Sequence, residues 1–381
     1  MNTTPAPAHP VEPLVVVLGA DGAVGRALAE VLVEAGGVPL RLVDTREGGM
    51  GRFAGPGVEV VVRDVFAPGA AEEVLAGATL LVNCLSLLAF DEVFDMALRA
   101  GVDYADLISE PSEQNARDAS ARGITVVPGL GMSPGLTNVL VAHAATGLRP
   151  EEVDILFVVQ RAMASSRGAL DTMLWEGGEH SPERSYHLDG RLVPVGPFDG
   201  GRVVDFGPGF GEQEVFFRPH PEPKSLPRNF PSIRYAAVRG CWQPEAMTAL
   251  KVLNELGLLA QDTVDATREA IWNRIGGRED PRYHGQSASR VEVRGVSADG
   301  RRVQRTYTVR RPFEEHSYTL TGKVAALGVK LLARQARTTT GVVDPEVCFD
   351  PEEFLREVEE QGVVRVSWTD EPWTAEPHPA A

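Results

Sequence analysis

Cysteine is scarce in this chain. Cys84, Cys241 and Cys348 are far apart, odd in number, and no CxxC pair occurs. That excludes a disulfide-built scaffold and fits a reducing compartment. Positive charge is also in deficit. Lys and Arg total 37 against 53 Asp and Glu, a formal net charge of −16. Such a chain repels phosphate backbones and anionic bilayers, so neither nucleic acid nor a membrane is expected as a partner. No apolar run approaches the ~18 residues of a membrane helix. The opening MNTTPAPAHPVEP has no basic n-region and no apolar h-region, so it does not read as a signal peptide. The expected location is the cytoplasm. The eight histidines show neither HExxH nor paired spacing, so no metal site is expected.

What remains is an ordinary globular composition over 381 residues, enough for two domains. Residues 1–13 carry four prolines and read as a tail. From Leu14 to Gly129, apolar runs of strand length alternate with helical stretches. The strand candidates are Leu14–Leu18, Pro39–Val43, Val58–Val62, Leu80–Val82, Tyr104–Ile108 and Ile124–Val127. The first helix candidate, Ala23–Ala35, puts Val24, Ala27, Leu28, Val31, Leu32 and Ala35 on one face. Strands rich in Val and Leu on both faces belong to a parallel sheet covered on both sides. Six of them in βα alternation predict an α/β fold with a doubly wound open sheet.

After Gly129 the rhythm changes. A Gly/Pro-rich turn leads into a helix over Leu136–Ala145 and a strand over Val153–Val159. Two hairpin signals follow, around Asp189-Gly190 and Ala298-Asp299-Gly300. Residues 134–318 therefore read as a second, α+β domain. The segment 319–370 resumes helix and strand and is expected to return to the first domain, residues 14–133.

The first strand ends in Gly19-Ala20-Asp21-Gly22-Ala23-Val24-Gly25. This is GxxGxxG, in the context that a dinucleotide fingerprint requires. Gly19 allows the turn, Gly22 lets backbone approach a pyrophosphate, and Gly25 lets helix and strand pack closely. The helix N–H groups then face the anion. Asp21, Ala23 and Val24 complete that turn. Asp44 ends the second strand and can accept bonds from the ribose hydroxyls of NAD; its other reading is a strand-end turn. Arg46 can instead meet the 2′-phosphate of NADP. Asp64 and Val65 after the third strand, and Asn83, Cys84, Leu85 and Ser86 after the fourth, face the same crevice, with cofactor contact or plain loop structure as alternatives. Ser109-Glu110-Pro111 closes the fifth.

At this point the chain resembles the saccharopine dehydrogenase-like family of saccharopine reductases, lysine 6-dehydrogenases and carboxynorspermidine synthases. The matching pieces are GADGAVG at 19–25, RDV at 63–65, LVNCLS at 81–86, GVDYADLISEP at 101–111 and GITVVPGLGMSPGLTN at 123–138. TLTGKVAALGVKLLA at 319–333 and GVVDPEVCFDPEEFLREVEEQG at 341–362 continue them. The resemblance implies a Rossmann domain, a central substrate and dimerisation domain, an NAD(P) cofactor and a homodimer. It implies an oxidoreductase acting on a C–N bond of an amino acid or its imine. Saccharopine reductases typically carry Asp where this chain has Ser133. The compact length, Asp44 and the PEVCFDPEEFL tail look more like lysine 6-dehydrogenases.

That chemistry needs a base to neutralise the amine and a cation for the substrate carboxylate. Glu110 is the base candidate, with a helix N-terminal charge as its other reading. The Gly131-x-Ser133-Pro134-Gly135 turn is the family's most specific piece and is expected at the substrate. Arg161 and Arg239, at expected strand ends, are the carboxylate-binding candidates; otherwise they are solvated or salt-bridged. Residues 274–311 carry ten arginines against four acids, which reads as a solvated hairpin face or an interface with a sister subunit. The alternatives to this enzyme are a dinucleotide-sensing scaffold and an imine reductase of secondary metabolism.

Overall fold

The computed structural model describes residues 13–85, 89–178, 184–278, 286–310, 317–334 and 339–374. The N-terminal tail and Ser86 lie outside the described residues.

The first layer runs β1 (Val15–Leu18), α1 (Ala23–Ala35), β2 (Leu40–Asp44), β3 (Val58–Val62), α2 (Ala70–Val74), β4 (Leu80–Asn83), α3 (Phe90–Ala100), β5 (Asp103–Asp106), α4 (Glu113–Arg122) and β6 (Thr125–Val127). Then follow α5 (Leu136–Ala145), β7 (Leu148–Gln160), α6 (Arg167–Gly177), β8 (Ser185–Leu188), β9 (Arg191–Pro194), β10 (Arg202–Asp205), β11 (Glu212–Phe217), α7 (Glu222–Asn229) and β12 (Tyr235–Trp242). The chain continues through α8 (Pro244–Glu255), α9 (Val264–Ile275), β13 (Gln286–Ser297) and β14 (Arg302–Arg310). It closes with α10 (Ser317–Arg334), β15 (Gly341–Val342), α11 (Pro345–Cys348), α12 (Pro351–Glu360) and β16 (Arg365–Pro372).

The first sheet is parallel throughout, in the order β15-β6-β5-β4-β1-β2-β3. The order reverses between β1 and β4, and that switch point opens a crevice at the carboxyl ends of the strands. Val15, Val16, Val17, Leu42 and Leu81 are fully buried, as a sheet covered on both faces requires. Helix α10 lies along α1. A Cβ at Gly322 would stand 2.3 Å from the Val24 carbonyl, so only glycine allows this approach.

The second sheet follows the order β10-β11-β12-β7-β13-β14-β16, with the β8–β9 hairpin attached to β12. It is antiparallel except for β7 with β12. Strand alternation gives it two faces. Ile155, Val238, Val291 and Val293 face α5 and share one core with the first layer. Leu156, Val158 and Cys241 face the opposite way, under α6, α8 and α9. Helix α5 lies between the sheets and is buried from Leu136 to Ala144.

Two expectations change here. The segment 319–370 divides: β15 extends the first sheet, but β16 pairs with β14 in the second. The arginine-rich hairpin is only in part a solvated face. Arg290 and Arg294 point to the same side as Glu292, and the sheet supplies their partners. Glu292 pairs with Arg290 at 2.8 Å, Arg294 at 2.5 Å and Arg202 at 2.9 Å.

Among the described residues, no helix is long and apolar enough to cross a membrane. No group of three or more His, Cys, Asp or Glu there can hold a metal ion.

Candidate functional site

The glycine turn sits at the switch point. Gly19 has φ +76°, and a Cβ there would stand 2.9 Å from the Cys84 carbonyl. A Cβ at Gly25 would stand 2.2 Å from the Gly19 carbonyl, so helix and turn close only on glycine. Helix α1 begins at Gly22 with no side-chain cap and no acid in its first turn, where Ala23 and Val24 lie. The orphan N–H groups of that turn point into the crevice. These features fit a pyrophosphate group.

Around the turn the acids are used as braces. The Asp21 N–H donates to Asp44 Oδ2 at 3.1 Å, while Thr45 N–H donates to Asp44 Oδ1 at 2.8 Å. Asp21 Oδ1 accepts from Gly49 N–H at 2.7 Å, and its Oδ2 lies 3.6 Å from the exposed Arg46 guanidinium. Asp64 forms its own turn with the Phe66 N–H, and Val65 is buried beside it. Asn83 is buried: it donates to the Tyr104 hydroxyl and accepts from Leu85 N–H. Burial, with the Asp106 carboxylate second, pushes the Cys84 thiol up to about 12. Cys84 therefore stays a neutral thiol against the turn.

Asp106, at the end of β5, accepts from the N–H groups of Ile108, Ser109 and Gly129 and from the Ser109 hydroxyl. It pins the two loops that follow β5 and β6. The second of these carries the specific turn. Gly131 N–H donates to the Pro134 carbonyl at 2.9 Å, and the Ser133–Pro134 peptide is cis.

Ser133 leads out of the first layer into a polar cluster. Its Oγ donates to Glu222 Oε1 at 2.6 Å and lies 3.3 Å from His220 Nδ1. The Thr137 hydroxyl donates to the same Glu222 oxygen at 3.1 Å. His220 is 3.5 Å from Glu222 on one side and 3.9 Å from Glu176 on the other, over the Phe157 ring. Burial alone would lower the His220 imidazolium; the two carboxylates outweigh it and push it up to about 10. Burial acts against Glu222 too, but the facing imidazolium prevails and holds its carboxyl below the usual range. His220 is thus a fixed cation near neutral pH. Arg218 lies 3.9 Å from Glu176, donates to the Gly240 carbonyl and stacks on Trp242.

Helix α7 also brings Lys224, which pairs with Glu110 across the two layers. A knot of polar groups fixes α7 to the first layer. Arg228 and Asn229 donate to Asp344, Asn229 also to Glu346, and Asn138 to both Glu346 and Ser225.

The structure therefore brings Glu110, Gly131, Ser133 and Pro134 to one cleft at the carboxyl ends of the parallel strands, the end that also carries the glycine turn. Arg239 does not join them. The strand end expected at Arg239 was too early: β12 continues to Trp242, so Arg239 lies mid-strand on the sheet face opposite α5. It is buried and bonded to Asp154, the Gly200 carbonyl and the Tyr235 hydroxyl, a salt-bridged role. Arg161 folds toward α6, 3.5 Å from the Ala169 carbonyl, and its backbone is clasped by Gln243. Sequence reasoning missed His220, Glu222 and Lys224. Their signal was His-Pro-Glu-Pro-Lys, three titratable groups in five residues with no periodicity.

Residues 15–127 match the family model of the saccharopine dehydrogenase NADP binding domain. Carboxyaminopropylagmatine dehydrogenase of Synechocystis sp. is 25% identical over 344 residues, covering 81% of this chain and 84% of that protein. Apo saccharopine dehydrogenase (L-Glu forming) from Saccharomyces cerevisiae superposes with a TM-score of 0.67 at 14% identity, covering 94% of this chain and 100% of that one. Residues 15–127 thus form an NADP binding domain of the saccharopine dehydrogenase type, the chain shares the fold of that solved structure, and it is an NAD(P)-binding oxidoreductase.

Proposed function

We propose that the protein oxidises the C–N bond of an amino-acid-derived amine, or reduces the matching imine, in the manner of a lysine 6-dehydrogenase. The observation that carries this is the cleft, where Ser133, Glu222 and His220 share the 220–224 segment with the Glu110–Lys224 pair, at the same end of the parallel sheet as the glycine turn. A bound nicotinamide dinucleotide supplies the hydride acceptor or donor. The chain supplies the rest. Glu110 takes the proton that makes the amine neutral. His220 and Glu222 hold a preorganised charge pair against the reacting carbon and nitrogen, which costs no reorganisation during the reaction. Ser133 orients that pair.

Asp44 favours NAD(H), because an acid at the end of β2 accepts from ribose hydroxyls and repels a 2′-phosphate. Arg46 is the group that would turn to NADP. The three free cysteines support a reducing cytoplasm, and the resemblance supports a homodimer, which sedimentation would check. The curated relative acts on carboxyaminopropylagmatine, and the fold relative on saccharopine. Both are amino-acid-derived, which directs the substrate screen.

The test is a nicotinamide fluorescence titration with NADH and NADPH, followed by turnover assays. Lysine, saccharopine and carboxyaminopropylagmatine are offered with the oxidised cofactor. Turnover on any of them supports the reading. Saturable cofactor binding without turnover on any amine or imine returns the protein to a dinucleotide-sensing scaffold.

A further inference from the structure

We infer that Lys224 is the docking group for a substrate carboxylate, and that its pairing with Glu110 masks that base until a carboxylate arrives. The inference rests on the C–N oxidoreductase reading of this cleft.

Among the described residues, the neighbouring cations are engaged elsewhere. Arg218 spends its guanidinium on the Gly240 carbonyl and the Trp242 face. Arg184 is buried and bonded to the carbonyls of Glu176 and Gly178. Arg239 is turned to Asp154 on the far face, and Arg228 is held on Asp344. His220 is buried between two carboxylates. Lys224 differs. Its side chain is 21% exposed, and its partner Glu110 is 37% exposed, so the pair stands at the mouth of the cleft.

The pair joins elements of different layers. Lys224 stands on α7, two residues beyond Glu222; Glu110 follows β5, just before the Ser112 cap of α4. Partly exposed ion pairs are worth at most about 1 kcal/mol. An incoming carboxylate can therefore replace Glu110 on the ammonium at little cost. Lysine suits the exchange, being a point charge on a flexible stem.

The exchange has a chemical consequence. With the substrate carboxylate on Lys224, Glu110 is released beside the substrate ammonium. One N–H bond then breaks and one O–H bond forms on Glu110, leaving the electron pair on nitrogen. An amine without a carboxylate leaves Glu110 engaged. The protein would thus select carboxylate-bearing amines by arming its own base.

The test uses the full chain saturated with NADH and follows calorimetric binding of glutarate, with neutral glutaramide as the control. Wild type binds glutarate in preference to glutaramide. Glu110→Gln removes the competitor and tightens glutarate about 2- to 5-fold. Lys224→Met weakens it about tenfold, and Lys224→Arg restores most of the loss. Equal glutarate affinity in Lys224→Met and wild type overturns the proposal. So does a failure of Glu110→Gln to prefer glutarate over glutaramide. NADH affinity stays unchanged in all three variants. Loss of NADH binding by wild type would instead withdraw the oxidoreductase reading, and this inference with it.

Discussion

Replacing His220 by glutamine tests the charge cluster at its centre. His220 is 6% exposed and Glu222 is 0% exposed. At their 3.5 Å separation, an effective dielectric constant of 20 gives a gross attraction of about 5 kcal/mol. Desolvation consumes part of this. Removing the imidazolium leaves Glu222 and Glu176 buried without their shared cation, which costs about 3–5 kcal/mol. The pH dependence is the sharper signature. His220 holds its proton up to about 10 when folded and to about 6.5 when unfolded. Its contribution is therefore complete below the unfolded value and is lost as pH rises toward the folded one. Between pH 7 and 8.5 wild type should lose about 2 kcal/mol, one proton across 1.5 units. Other shifted groups are common to wild type and variant. Glu222 and Asp154 are lowered, so their contributions are already complete there. His143 and His187 are lowered as well, and their effects end near the ordinary histidine range. Cys84, Cys241 and Cys348 are raised to about 12 and each costs about 0.4 kcal/mol as pH reaches the ordinary thiol value, ~8.5, so the signature of His220 is the difference in slope between the two proteins. The assay is the urea midpoint measured at intervals across this window. His220→Gln should be less stable, with a slope shallower than wild type by about 2 kcal/mol across the window. The double variant with Glu222→Gln should recover part of the loss. A single variant that keeps the wild-type slope refutes the assignment of the proton to His220.

Two further outcomes follow from the geometry. Asp44→Ala should weaken NADH about 10- to 100-fold, the worth of hydrogen bonds to a charged group, and NADPH far less; equal loss of both in fluorescence titration removes the argument for NAD. Arg239→Met should cost about 3–5 kcal/mol by leaving Asp154 buried with less countercharge, read as a lower denaturation midpoint, while the KM for amine substrate stays unchanged.

The first layer was legible because its signals are local. Val58–Val62 and Ala23–Ala35 occur at the boundaries that period and breakers predict. Asp189 and Gly190 both take positive φ, as a two-residue hairpin demands. The cleft was only half legible. Ser133 and Glu110 stood in recognisable strand-end turns, but their partners come from α7, and Ser133 is 87 residues from His220. That helix has proline before it and Pro227 within it, residues that read as breakers rather than as a helix. Arg239 misled for a related reason. An arginine inside an apolar run reads as the end of a strand, yet three neighbouring groups made its burial affordable in mid-strand.

Strand β15 is only Gly341–Val342, yet it pairs with β6, whose residues lie more than two hundred positions earlier. On the ribosome, β6 therefore waits as an open sheet edge while all of the second layer but β16 emerges. The Arg228–Asp344 bonds that fix α7 wait for the same late segment. The nucleotide layer is thus not finished first: β15 closes its edge late and β16 then closes the second sheet, so the cleft's two walls mature together. A chain shortened before residue 341 would keep the glycine turn but present an unpaired edge to its neighbours, with aggregation rather than a free-standing nucleotide domain as the outcome.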